Sequence, residues 1–229
     1  MFGVLFTTQD VVSSTFAAAV LATFSTAVLC LVGMSWSNEK WRVPVAMVGV
    51  AALASSLHYA GAATLWLQEQ GASGGVRFAA WFTVHPLQVA AMYFFVRALA
   101  NAPIGIFWRI TAAALLMVFS RYLGDAGFFN PTLGVLLSIG FWLYILGELY
   151  FGAMADVVRK ESRAVRLGYF WIRLIMTVGW AIYPILHFVD VVIGTGQAAG
   201  VVALYTLFDL INLITPSLIV LAVAGQERH

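Results

Sequence analysis

Charge is what this sequence has least of. Only 10% of its 229 residues are Asp, Glu, Lys or Arg, while 62% are hydrophobic, and the mean hydropathy is +0.92. A soluble domain carries about 25% charged residues, so a water-exposed globular protein is excluded. Disordered, collagen-like and coiled-coil chains are excluded on the same ground, because the chain is too apolar and shows no heptads. The one cysteine, Cys30, lies in an apolar run and rules out an intrachain disulfide framework or a CxxC metal site. Lysine occurs twice, as Lys40 and Lys160, both at the ends of apolar runs. A formal charge of +2 is too small to point to nucleic acid. What the chain has in quantity is long apolar sequence, and its class is polytopic membrane protein.

A membrane helix needs about 20 mostly apolar residues. Seven stretches qualify, at about 10–35, 42–68, 77–100, 105–125, 131–156, 164–190 and 199–225. The breaks between them carry turn chemistry: Ser37-Asn38, Gly71 to Gly75, Asn101-Ala102-Pro103, Asn130-Pro131 and Gly194-Thr195-Gly196. The first run starts too deep, is too long and lacks the basic flank of a cleaved signal peptide. The expected architecture is all-α, a single seven-span bundle over residues 1–229 with short loops.

The charges are placed unevenly. Lys40, Arg42, Arg97, Arg109, Arg159, Lys160, Arg163, Arg166 and Arg228, nine of the twelve basic residues, flank the segments of one side. The other side carries Asp10, Glu69, Asp125 and Asp190. The positive-inside rule then puts the N-terminus outside and the C-terminus in the cytoplasm, in an inner (plasma) membrane.

Charge inside a span is costly and calls for a partner. Arg121 and Asp125, one helical turn apart, are expected to pair locally. Arg173 in span six and Glu148 in span five lie at similar depths on adjacent helices, which predicts a Glu148–Arg173 bridge. Asp209 sits in the middle of span seven, and no basic residue lies within seven positions of it. Arg77, at the far end of span three, is its candidate partner. The four histidines, His58, His85, His187 and His229, fall on separate elements with no i, i+4 pair, so no metal site is expected. No nucleophile–histidine–acid set, P-loop or GxGxxG is visible, and an enzyme is not expected.

Arg77, Ala80, Val84, Gln88 and Ala91 form one stripe on span three, at steps of three and four. The string Arg77-Phe78-Ala79-Ala80-Trp81 followed by Pro86-Leu87-Gln88 resembles helix three of the microbial rhodopsins, and of proteorhodopsins in particular. Gly179-Trp180-Ala181-Ile182-Tyr183-Pro184 is similar to that family's retinal-flanking segment on helix six. His58-Tyr59, Leu123 to Gly127 and Tyr205 to Asp209 fall in the family's order, so the resemblance runs from about residue 35 to the C-terminus.

The resemblance also implies losses. The family's Schiff-base lysine lies one turn after the helix-seven aspartate, where this chain has Leu213. The proton-acceptor position is Ala80, the donor position is Ala91, and Val84 replaces a threonine between them. Proton relay needs titratable groups, and this stripe offers none. The aromatic walls of the pocket are kept: Trp81, Trp180, Tyr183 and Pro184 by resemblance, with Ser138 and Trp142 at the ring end and Gln88 at a colour-tuning position. Asp209 would be half of a counterion without its cation, held by Arg77 through water and by the Tyr183 hydroxyl, with Tyr205 as a further support. His58 has lost its partner at Ala80 and is available to a protomer interface.

Three functions fit these residues. The first is a lysine-less rhodopsin homologue that holds retinal, a carotenoid or another lipid without a covalent bond, as a store, a carrier or a modulator of a functional rhodopsin. The second is a ligand-free structural or signalling protein with a filled pocket. The third is a light-independent channel or transporter using Arg77, Asp209 and His58. The resemblance implies a homo-oligomer, pentamer or hexamer, for which Ala17, Ala18, Ala19 and Ala22 on span one allow close contact. Whether the space between Trp81, Trp180 and Leu213 is open separates the first two.

Overall fold

The computed structural model describes residues 10–69, 74–193 and 199–227. Its helices are α1 (Val11–Trp36), α2 (Glu39–Glu69), α3 (Gly74–Arg97), α4 (Ile104–Asp125), α5 (Pro131–Phe151), α6 (Ala153–Val158), α7 (Arg163–Leu174), α8 (Trp180–Ile193) and α9 (Ala199–Gln226). Among the described residues, seven helical stretches are long and apolar enough to cross a membrane. α5 and α6 together make span five, and α7 and α8, joined by a π-helical turn over Ile175–Gly179, make span six. The break expected over Gly71 to Gly75 is described only from Gly74, and Gly194-Thr195-Gly196 lies outside the described residues. So do Arg228, His229 and the side chains of Glu69 and Asp190.

The helix ends follow local chemistry. Asp10 caps span one, accepting from the backbone N–H of Val12 (3.3 Å) and Ser13 (3.1 Å) and from the Trp66 indole of span two (2.5 Å). Burial pushes its carboxyl up, but the hydrogen bonds from Ser13, Trp66 and Val12 outweigh burial and hold it below its ordinary 3.8. A depressed carboxyl adds stability above its unfolded pKa and loses it as pH falls through the folded value. Asp10→Ala is expected to cost about 0.5–2 kcal/mol at neutral pH, measured by unfolding in detergent, with the difference shrinking in acid. Asn130 caps span five in the same way, with Pro131 in the first turn. Span three ends at Arg97, not near residue 100, because the chain turns over 98–100, and the Tyr93 hydroxyl donates to the Ala102 carbonyl at 3.0 Å just before Pro103.

Neighbouring spans pack in sequence order, and span seven closes the ring against span one. Spans four and five approach closely where a Cβ on Gly134 would lie 2.7 Å from the Ser120 carbonyl. Ala17 and Ala19 are buried inside the protomer, which corrects their expected role at an interface with a neighbour; Ala18 is exposed and Ala22 half-buried. Span five is the loosest of the helices: 22% of its apolar stretch is buried, against 61% for span three.

Candidate functional site

Two cavities lie end to end through the bundle, sharing the side chains of Trp81, His85 and Tyr183. The larger, of about 50 Å³, lies between spans three, four, five and six. Trp81 and His85 of span three, Ser138, Ile139 and Trp142 of span five, and Trp180, Tyr183 and Pro184 of span six line it, with Met117, Val118 and Arg121 of span four. The second, of about 20 Å³, is lined by Ser55, His58 and Tyr59 of span two, Ala80, Val84 and Gln88 of span three, and Asp209, Asn212 and Leu213 of span seven. Ala91 lines neither and borders a third, apolar space with Met92, Ile172 and Val220.

Asp209 is held by hydroxyls. Tyr183 donates to its Oδ1 at 2.6 Å and Tyr59 to its Oδ2 at 2.7 Å. The Trp81 indole N–H faces the same carboxylate outside hydrogen-bond geometry. Arg77 stands over the Tyr205 ring, its guanidinium carbon 4.0 Å from the centroid, and Tyr205 stacks on Tyr183 at 6.1 Å and 9°. The expected Arg77–Asp209 unit is therefore built from two tyrosines and a stacked ring, with no direct ion pair among the described residues. Leu213, 3% exposed, packs with Val84, Leu87 and small residues of spans one and two.

Prolines and the π turn explain the polar contacts around this chamber. Pro216 has no N–H, so the Asn212 carbonyl four residues earlier has no helical donor. Gln88 supplies one, its Nε2 donating at 2.7 Å. Asn212 Nδ2 donates to the Gly179 carbonyl and to the Tyr183 hydroxyl, both at 3.0 Å. The π turn ends at Gly179, and a Cβ there would collide with Asn212. Gln88→Leu leaves that buried carbonyl unpaired and is expected to cost about 1–3 kcal/mol, read as a lower unfolding midpoint in detergent.

One expected ion pair is replaced. Glu148 faces Arg109 of span four at 3.5 Å, and Arg173 lies over Tyr150, 4.4 Å from the centroid, near Tyr169 and Phe170. Equal depth was met, but the two side chains turn to different neighbours. Arg121 and Asp125 do pair within span four.

Eight residues lining these cavities escaped the sequence reading of the site, Tyr59, Asn212, Met117 and His85 among them. Tyr59 follows His58 directly, and Asn212 precedes Pro216 by the four residues that orphan its carbonyl. Met117 carried no local signal. His85 lies four residues after Trp81 on the same face, a spacing that marks it as a pocket residue. Its ring meets Trp180 at 4.7 Å and Trp81 at 5.7 Å between centroids. It therefore closes the passage from Leu213 to Trp142.

The family model for bacteriorhodopsin-like proteins matches residues 10–226. The chain belongs to this family. Among the bacteriorhodopsin-like proteins it is similar to the blue-light absorbing proteorhodopsin of Gamma-proteobacterium Hot 75m4, 28% identical over 193 residues that cover 83% of this chain and 76% of that protein. The green-light absorbing proteorhodopsin of Gamma-proteobacterium EBAC31A08 is 26% identical over 191 residues, covering 83% and 77%. The crystal structure of blue light-absorbing proteorhodopsin from Med12 superposes with a TM-score of 0.80 at 26% identity, covering 95% of this chain and 100% of that one. Xanthorhodopsin, a light-driven ion pump with dual chromophore, shares the fold with a TM-score of 0.82 at 16% identity, covering 99% and 94%.

Proposed function

We propose that this bacteriorhodopsin-like protein carries no covalent chromophore and holds an apolar, polyene- or lipid-like ligand non-covalently. The observation that carries this reading is the larger cavity, walled by Trp81, Trp142, Trp180 and Tyr183. Small-molecule sites are lined in this way, by aromatic and apolar groups with a few polar ones. Retinal and carotenoids are the candidate ligands, since the fold is that of proteins whose aromatic box receives a polyene. Both lysines lie at helix ends, Lys40 in the first turn of α2 and Lys160 between α6 and α7, so no amine reaches the cavity. Ala80 and Ala91, both buried, leave the acceptor and donor positions of a proton pump without carboxylates. In this reading the protein is neither an enzyme nor a light-driven pump. It sits in an inner membrane with the N-terminus outside, as a homo-oligomer or beside a functional rhodopsin that it supplies or modulates.

A titration of all-trans-retinal into the purified protein tests this, with visible absorbance and tryptophan fluorescence followed together. Saturable quenching with an unshifted absorbance band is the expected result. Absence of quenching would remove the ligand and favour a structural or signalling partner, a reading that the His85–Trp180 contact across the former passage supports. A channel is disfavoured by the apolar space around Ala91, Met92 and Val220, which offers ions no polar path.

A further inference from the structure

The walls of the larger cavity are not uniformly apolar, and three of their polar groups are engaged. The Tyr183 hydroxyl donates to Asp209, the Trp142 indole donates to the Met176 carbonyl at 2.9 Å, and Arg121 pairs with Asp125. His85 is different. It is 5% exposed, lines the cavity, and hydrogen-bonds no side chain among the described residues. The Trp81 carbonyl one turn back faces its Nδ1 without meeting hydrogen-bond geometry. A buried imidazole nitrogen without a hydrogen bond is costly, because each polar group taken from water needs a replacement bond. Its neighbours on the other sides are the rings of Trp81, Trp180 and Tyr183, which offer it only their faces and edges.

From this geometry we infer that the ligand has one uncharged polar terminus, a hydroxyl or a carbonyl, which hydrogen-bonds His85 at the inner end of the cavity. The inference rests on the non-covalent binding proposed above and specifies its ligand. A neutral imidazole is both donor and acceptor, so it serves a hydroxyl in either sense and a carbonyl as donor. A carboxylate or an ammonium would bring a bare charge into a wall of indoles and aliphatic side chains and is disfavoured. A pure hydrocarbon would leave His85 as unpaired as it stands. The apolar tail runs outward along Met117, Ile139 and Trp142 toward span five, which is the least buried span and faces lipid, a medium that suits a hydrocarbon.

The test compares two probes of the same polyene: all-trans-retinol and axerophthene, which has a methyl group in place of the hydroxymethyl. Both are titrated into the native protein, His85→Leu and His85→Gln, with quenching of the wall tryptophans as readout. Native protein is expected to prefer retinol about five-fold, the worth of one net hydrogen bond of about 1 kcal/mol. His85→Leu is expected to bind both probes equally, and His85→Gln to keep most of the preference. Equal binding by the native protein, or a preference that survives His85→Leu, overturns the assignment to His85 while the cavity reading stands. Binding of neither probe by the native protein overturns both. A His85→Leu protein that does not fold leaves the native and His85→Gln titrations to decide.

Discussion

Leu213→Lys alone is expected to remain colourless with all-trans-retinal, and Leu213→Lys combined with His85→Ala is expected to form a visible-absorbing pigment. The argument is one of thickness. A lysine at 213 would stand in the chamber with Asp209, on the far side of Trp81, His85 and Tyr183 from the larger cavity. A retinylidene chain must pass that wall to lay its ring against Trp142. Carbon atoms in contact sit about 3.5–4.0 Å apart, so a conjugated chain needs facing walls separated by roughly twice that distance. His85 and Trp180 are 4.7 Å apart between ring centroids, which leaves no slot. Alanine at 85 removes the imidazole and joins the two cavities. Asp209, already in the chamber, provides the negative charge that a buried protonated Schiff base requires. Colour in the single variant would mean that His85 swings aside on its own. Colourless double variant, with the protein folded, would mean that the path is closed elsewhere, and the filled-pocket reading would gain.

The spans were legible because a bilayer imposes one demand, about 20 apolar residues each, that composition alone displays. Their ends were legible where a cap or proline fixes them, as at Asn130-Pro131, and drifted where nothing local does, as at Glu39. What spacing along a helix could not supply was azimuth. Glu148 and Arg173 share a depth, but Glu148 turns to Arg109 and Arg173 to the ring of Tyr150. The π turn over Ile175–Gly179 left no mark in composition, and the fit of Asn212 against Gly179 comes with it. His85 was readable in principle. One turn from Trp81 on the stripe that faces the pocket, it looked unremarkable only while metal ligation was the chemistry considered for histidine.

Asp209→Ala is expected to cost about 2–6 kcal/mol, because it leaves two buried hydroxyls without an acceptor at about 1–3 kcal/mol each, whereas Arg77→Gln is expected to cost about 0.5–2 kcal/mol, the worth of a cation–π contact. The order follows from the geometry. Asp209 of span seven accepts from Tyr59 of span two and Tyr183 of span six, so one carboxylate ties three helices. Its loss leaves two buried hydroxyls without acceptors and frees Asn212 from the far side of Tyr183. Arg77 makes no ion pair with the carboxylate among the described residues and lies over the rings of Tyr205 and Trp81, so its replacement leaves all of those hydrogen bonds intact. Chemical unfolding in detergent of both variants, with Tyr59→Phe and Tyr183→Phe added to form cycles on Asp209, checks this. The cycles should be strongly non-additive, because each phenylalanine removes a bond that the alanine has already removed. Equal costs for Arg77→Gln and Asp209→Ala would mean that a direct or water-bridged pair between them dominates, as charge placement alone suggested. Near-zero costs for both would mean that the helices are held by apolar packing and that the carboxylate is available for another task.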